Sequence, residues 1–243
     1  MGRDFIAVKG VDGIRKALKN FSEAEIRKTK QVALNKTAGQ VKSILKASIP
    51  LVFDRPKAFT KNSLFILTAQ KTGNETALVK IKDEASGVPP VNFLGPHILG
   101  GPRNHKAHEV ALKRIGVLKG QEYIVPGVDA AIDKWGNQRS SQIIKIMSQL
   151  GAFNERPGYG ANASKPKDGW SYFVSKDRKS IFRVKKNRVQ VLMYIVDDAI
   201  YAPKWKFYEI GLREGGRLIV ENTNWAIEKA FEKARNRGSD FER

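Results

Sequence analysis

The sequence predicts an α+β fold: an N-terminal helix pair and a C-terminal helix packed on a mostly antiparallel sheet, with a helical or irregular insertion. Three observations predict it. Apolar residues recur at helical spacing near both ends of the chain. Runs rich in aromatic and β-branched residues, separated by short polar breaks, follow residue 170. Between residues 84 and 169 Gly and Pro are frequent and strand alternation is lost. The expected division is therefore 1–83 as the first part of the core, 84–169 as the insertion and 170–243 as the part that completes the core.

Taken in order, VDGIRKALKNF reads as a short helix with Asp12 as its cap and Ile14, Leu18 and Phe21 on one face. Ser22 and Glu25 form a capping-box pattern that opens a second helix, expected to run to about Ile49 and to be stopped by Pro50. On a helical wheel Ile26, Ala33, Leu34, Thr37, Val41, Ile44, Leu45 and Ser48 gather on one side, opposite Lys28, Lys36, Lys42 and Lys46. The lysines read first as the solvated face of an amphipathic helix. The alternative is a positive surface turned toward nucleic acid or an acidic partner, to which the scarcity of Glu after Glu25 lends weight.

PLVFDRPKAFTKNSLF is expected to be an extended loop, and SLFILTAQ with ETALVKIKDE a β-hairpin turning around Lys71 to Asn74. Within the insertion, EASGVPPVNFLGPHILGGPRN reads as irregular and EYIVPGVDAAIDKWGN as a loop. HKAHEVALKRIG reads as a short helix packed through Val110, Leu112 and Ile115 and stopped by Gly116. SSQIIKIMSQLGAF reads as a helix capped by Ser140 or Ser141, and NERPGYGANASKPKDG as a polar linker. WSYFVSK, SIFRVKKN and RVQVLMYIVD form an antiparallel meander. KFYEIGLREGGRLIVENTNWAIEKAFEKARNR is expected to give a loop or short helix and then a final helix packed through Trp225, Ile227 and Phe231.

Composition narrows the function classes. No apolar run approaches the roughly 18 residues that span a bilayer. The start of the chain has no apolar leader core, no small-residue cleavage site and no myristoylation pattern, since Ile6 stands where Ser or Thr is needed. Cysteine is absent, which excludes disulfide scaffolds, thiolate metal sites and thiol nucleophiles and fits a reducing cytoplasm. Lys and Arg number 44 against 24 acidic residues, a formal net charge of +20. The excess is 17 to 7 in residues 1–83, 11 to 7 in 84–169 and 16 to 10 in 170–243, so it is spread over a folded body that faces a polyanionic partner.

Candidate chemistry is sparse. His105 and His108 lie three apart, with His97 upstream and Glu109 adjacent, but Arg103, Lys106, Lys113 and Arg114 crowd the same stretch and oppose a divalent cation. These histidines read as part of a surface helix start. The glycines of GPHILGGPRN and RPGYGAN lack the spacing of a phosphate loop. Asp197 and Asp198 read as a turn-forming pair, with no third acid nearby to complete a magnesium site. SYFVSKDRKSIFRVKKNR sets aromatics among cations in the manner of nucleic-acid stacking surfaces, but it carries no RNP-like motif, and alternating aromatics in a meander suit a core. No cofactor is expected.

Several strings carry a family resemblance. FDRPKAFTKNSLF, GPHILGGPRNHKAHEVALKRIGVLKGQEYIVPG, DKWGNQRSSQIIKIMSQLGAF and WSYFV resemble tailed-bacteriophage proteins of the minor tail protein Z type, related to tail-completion and head–tail joining proteins. The resemblance spans about Phe53 to Tyr172. It implies a structural, non-enzymatic virion component made in the host bacterial cytoplasm, present as a homo-oligomeric ring at the junction of the tail with the portal or neck. Its partners would be portal, connector, tail-tube or terminator subunits, with non-specific contact to packaged DNA and none to a membrane. On that reading Phe53, Pro56, Phe59, Phe93 and Trp135 are candidate subunit-interface anchors, Arg55 and Arg103 their polar partners, and Lys28, Lys36, Lys42 and Lys46 line a lumen or meet an acidic neighbour. The alternative is a non-enzymatic DNA-binding protein with a basic face.

Overall fold

A computed structural model describes residues 23–72, 76–85, 87–153 and 168–239. The expected first helix, the cap at Ser22, the tip of the hairpin turn at 73–75 and most of the polar linker lie outside them. The fold is α+β, as the periodicities predict. It divides into two compact units that the chain builds in alternation. Residues 1–48, 62–81 and 206–243 make the first unit, and 49–61 with 82–205 make the second.

The first unit holds α1 (Glu23–Val52, whose last turn belongs to the second unit), β1 (Leu64–Leu67), a helical turn at Ala69–Thr72 and β2 (Leu78–Ile81). Its last element is the C-terminal helix Phe207–Ser239. β1 and β2 pair antiparallel, with Leu64 opposite Ile81 and Leu67 opposite Leu78, so the expected hairpin exists with a helical turn in its connection. Ala33, Thr37, Ala38, Val41 and Leu45 are buried, close to the predicted stripe of α1, while Ile26 at its start is exposed. Pro50 does not stop the helix. Proline forfeits only the amide that would bond one turn back, and the next turn closes with Phe53 N–H donating to Ile49 O at 3.0 Å.

The expected loop or short helix before the final helix is also absent, because Phe207–Ser239 is one helix. Three glycines in its first half each disfavour helix by about 1 kcal/mol, and tertiary packing outweighs that. A side chain at Gly215 would sit 4.0 Å from Val41, so the two helices approach closely at that point. Arg217 bridges Glu214 and Glu221 along the outer surface. The packing residues differ from those expected. Leu218, Asn222 and Ala226 are buried, whereas Trp225 and Ile227 are 37% and 41% exposed, and Lys36 Nζ lies 3.4 Å above the Trp225 ring.

Asn222 is the polar element of this helix pair. Its amide donates to Thr37 Oγ1 at 3.0 Å and Gln40 Oε1 at 2.6 Å, in a site where both Asn222 and Thr37 are buried. Replacing Asn222 with Leu is expected to lower unfolding free energy by about 1 kcal/mol, read from urea midpoints, because the Thr37 hydroxyl loses the bond it accepts from Asn222 while keeping the one it donates to Ala33 O at 2.9 Å. An unchanged midpoint would show that the helix pair is held by apolar contacts alone.

The second unit contains Ala58–Lys61 as a helical turn, α2 (Pro90–Leu99), β3 (Gly101–Pro102), α3 (Ala107–Arg114) and β4 (Tyr123–Pro126). It continues with α4 (Ser140–Gln149), β5 (Ser171–Val174), β6 (Ser180–Lys185), β7 (Arg188–Val196) and β8 (Ile200–Tyr201). The four-stranded antiparallel sheet has the order β4-β7-β6-β5. The expected boundary at 169/170 therefore runs through one sheet, since β4 belongs to the supposed insertion and β7 to the meander. EYIVPG is a strand, not a loop, because Tyr123 to Pro126 pair with Val196 to Met193.

α3 and α4 cover one face of this sheet, where Leu112, Ile146, Met147, Ile181, Leu192 and Met193 form the fully buried core. Val110 points outward instead of packing. α4 is preceded by Arg139 in extended conformation and has no side-chain cap, so Ser140 and Ser141 lie within the helix. A bulge between Ile181 and Phe182 lets Leu192 and Met193 both face the core. GVPPVNFLGPHIL, expected to be irregular, forms α2. Pro90 occupies the first helical position, where a missing N–H costs nothing, and Gly100 at φ 79° ends the helix. Gly116 at φ 76° ends α3 as predicted.

Candidate functional site

Within the second unit an open cleft of about 650 Å³ is walled by the 53–60 segment, the start of α2, Arg103–Lys106, the Trp135 loop and Tyr201 of β8. This volume is in the range of ligand and peptide pockets. Six of the seven candidate interface residues line it: Phe53, Arg55, Pro56, Phe93, Arg103 and Trp135. The seventh, Phe59, packs on Phe93 with ring centroids 6.1 Å apart. Residues up to 82 positions apart in the chain are thus brought to one surface feature. The four candidate lysines on α1 belong to the first unit: Lys28 and Lys46 are exposed, with Lys46 Nζ donating to Asn62 at 2.8 Å, Lys42 is half-buried, and Lys36 covers Trp225.

The Trp135 loop is a tight reversal built by Asp133. Its carboxylate accepts the N–H groups of Trp135 at 3.0 Å and Asn137 at 2.9 Å, its own N–H donates to Asn137 O at 2.7 Å, and Gly136 takes φ 81°. Lys57 Nζ bonds the same carboxylate at 2.8 Å and lies 4.9 Å from the Trp135 ring. The hydrogen bond from Lys57, joined by the two backbone amides, holds the Asp133 carboxyl down at about 2. Opposite, Arg55 sits at φ 43°, a left-handed conformation costly for a residue that carries a Cβ, and its guanidinium binds the neighbouring Asp54 at 2.8 Å. The same guanidinium closes on Gly136, where a Cβ would lie 3.3 Å from Nη2. The rim cations Arg55 and Lys57 therefore each carry their own acid.

Beneath the rim, Arg103 is paired with Glu109, whose side chain is fully buried, through bonds of 2.6 and 2.7 Å. Glu109 also accepts the N–H groups of Lys106 at 2.6 Å and Ile124 at 2.8 Å. Burial alone would raise its pKa, but these bonds outweigh burial and hold it below the ordinary carboxyl value. Arg103, expected as a partner across an interface, is instead committed to fastening α3 to β4. Its guanidinium also lies 4.8 Å from the Tyr123 ring.

The three histidines are separated in role. His97 stands edge-on between Phe53 and Tyr201, at 5.1 and 4.7 Å, and burial, with Lys204 adding repulsion, lowers its pKa. Its Nδ1 is buried without a hydrogen-bond partner among the described residues. His105 stacks flat on Tyr123 at 4.3 Å and uses Nε2 to donate to Glu122 O at 3.1 Å. His108 is held neutral by burial, reinforced by Lys106, with its pKa lowered to about 4. Among the described residues no cluster of three His, Asp or Glu side chains is placed to hold a metal.

The depressed His108 value has a measurable consequence. An unfolded chain protonates this imidazole near pH 6.5 while the folded chain resists until about pH 4, so the associated stability is complete above pH 6.5 and is lost as pH falls toward 4. About 2 kcal/mol of the wild-type loss between pH 7 and 4 is expected to disappear in His108→Gln, measured by urea unfolding at each pH. Parallel pH profiles for the two proteins would refute the assignment. Glu109 acts in the same direction, but below pH 4.5.

No family model, curated protein or solved structure matches the chain. Several cleft components escaped the sequence reading, namely Asp54, Lys57, Asp133 and Tyr201. The D-x-x-G-N spacing of Asp133 was the one legible signal, since an Asp that caps its own turn fixes the aromatic between them.

Proposed function

We propose that this chain is a structural component of a tailed-bacteriophage virion, a tail-completion or head–tail joining subunit that forms a ring at the junction of the tail with the portal or neck. It makes and breaks no bond. The observation that carries the reading is the convergence in the second unit of FDRPKAF, GPHILGGPRN and DKWGN, three strings of the resemblance, on one aromatic cleft. Phe53, Phe93 and Trp135 offer apolar area there, while Asp54 and Asp133 neutralise the rim cations. A cleft so balanced favours burying a segment of a neighbouring subunit over trapping a small anion. Its occupant is an extended arm of the portal, connector, tail tube or a sister subunit.

The test is to locate the chain in intact particles and to delete it. Cryo-electron microscopy is expected to place it in a ring at the head–tail junction, and the deletion to leave unjoined heads and tails. Normal particles without the polypeptide would overturn the reading. The +20 charge favours a second reading, a non-enzymatic duplex-binding protein. It is distinguished by tight, steeply salt-dependent binding of a monomer to DNA and by absence from the particle.

A further inference from the structure

We propose that the open part of the sheet face opposite the core, on β5, β6 and β7, is a stacking platform for single-stranded nucleic acid, a property independent of where the chain resides in a virion; on β4 the same face is covered at Tyr123 by His105 and Arg103. Side chains alternate across a strand. Tyr172, Ile181, Met193 and Ile195 face the core, which leaves Phe173, Phe182, Val191 and Tyr194 on the opposite side. An antiparallel sheet with one solvated face normally sets polar residues there. This one sets aromatics.

Phe173 on the edge strand lies directly opposite Phe182 on its neighbour, with ring centroids 5.8 Å apart and planes 36° from parallel, and Phe173 is 47% exposed. An exposed ring beside a half-buried one on the adjacent strand, Phe173 beside Phe182, offers a surface on which unstacked bases can lie, because every base has a π-face regardless of sequence. Alternating aromatics in a meander suit a core, but the register puts the two phenylalanines on the other face.

Charge identifies the occupant. The turn from β5 to β6 presents Lys176 and Lys179 to solvent, and the turn from β6 to β7 presents Lys185, Lys186 and Arg188. From Lys176 to Arg188 there are seven basic residues and one acid, Asp177. That acid is bonded to the Ser175 hydroxyl and the Lys179 amide. Cations at both ends of an aromatic strip match a phosphate backbone that passes along the strip with its bases turned inward. An apolar protein surface would gain nothing from this surplus and would have to desolvate it.

The full-length protein is titrated by fluorescence anisotropy with labelled oligo(dT), oligo(U) and a duplex of equal length at about 150 mM salt, where non-specific duplex binding is weak. Both single strands are expected to bind more tightly than the duplex. In Phe173→Leu/Phe182→Leu, which keeps apolar volume but removes the rings, single-strand affinity is expected to fall about tenfold or more with duplex affinity unchanged. Lys185→Ala/Lys186→Ala is expected to weaken both and to flatten the salt dependence. Should the double leucine variant melt early, the Phe173→Leu single variant at the exposed edge gives the same reading. Wild-type single-strand affinity in a folded leucine variant, or no preference for single strands in the wild type, would overturn the proposal and leave the face as a protein-docking surface. Neither outcome bears on the particle-location experiment.

Discussion

Replacing Glu109 with alanine is expected to remove about 3–5 kcal/mol of folding stability, the largest single effect in the second unit. The reason is the number of groups that depend on one carboxylate. Arg103 would keep a largely buried positive charge with no counterion, and the Lys106 and Ile124 amides would each lose an acceptor. Removing one member of a buried pair exposes the full desolvation cost of the other, whereas removing both need not. The double variant Arg103→Met/Glu109→Leu is accordingly expected to recover part of the loss. Urea midpoints for the wild type, Arg103→Met, Glu109→Leu and the double variant give the cycle. A Glu109→Ala loss below about 1 kcal/mol would mean that the pair is solvated in solution.

Gly127→Ala is the second large effect, at about 3 kcal/mol, and it arises from space rather than charge. Gly127 follows β4, and its N–H donates to Leu192 O at 2.9 Å. A Cβ built there would lie 2.4 Å from Val191 O and 2.8 Å from the carbonyl carbon of Leu192. The obstructing atoms are backbone atoms of the central strand β7, so no side chain can swing aside. Strand β4 would have to part from β7 or the bulge at Leu192 would have to reshape, and each route carries the cost of overpacking a well-filled interior. Thermal unfolding checks it, and a shift of less than about 2 °C would show that the turn after β4 yields easily.

How much of this was written in the sequence depends on the range of the forces concerned. The meander was legible because β5, β6 and β7 pair with their chain neighbours and carry their own alternation. The stripe on α1 was legible for the same reason, through Ala33, Val41 and Leu45. Strand β4 was not: four residues pair with a strand some 70 positions later, and nothing local distinguishes YIVP from a loop. α2 was hidden by Pro89, Pro90 and Pro96, which read as helix breakers until one of them is seen at the first helical position. The continuity of the C-terminal helix was hidden by its glycines, one of which, Gly215, is where α1 approaches through Val41.

The site follows the same division. Phe53, Phe93 and Trp135 could be singled out as aromatics in Pro- and Gly-rich stretches, but their convergence could not, because it depends on α2 and on the long-range bond from Lys57 to Asp133. The pairing of Arg103 with Glu109 was not legible, because it depends on the burial of an acid six positions on, which β4 supplies.

The alternating construction of the two units, with crossings at 48/49, 61/62, 81/82 and 205/206, also governs how the molecule can be dissected. Neither unit is a contiguous stretch, so no single truncation liberates one intact. A protease that nicks one crossing yields fragments on a denaturing gel, yet each unit still holds its severed pieces by its own interior. The nicked protein then migrates under native conditions as though it had never been cut.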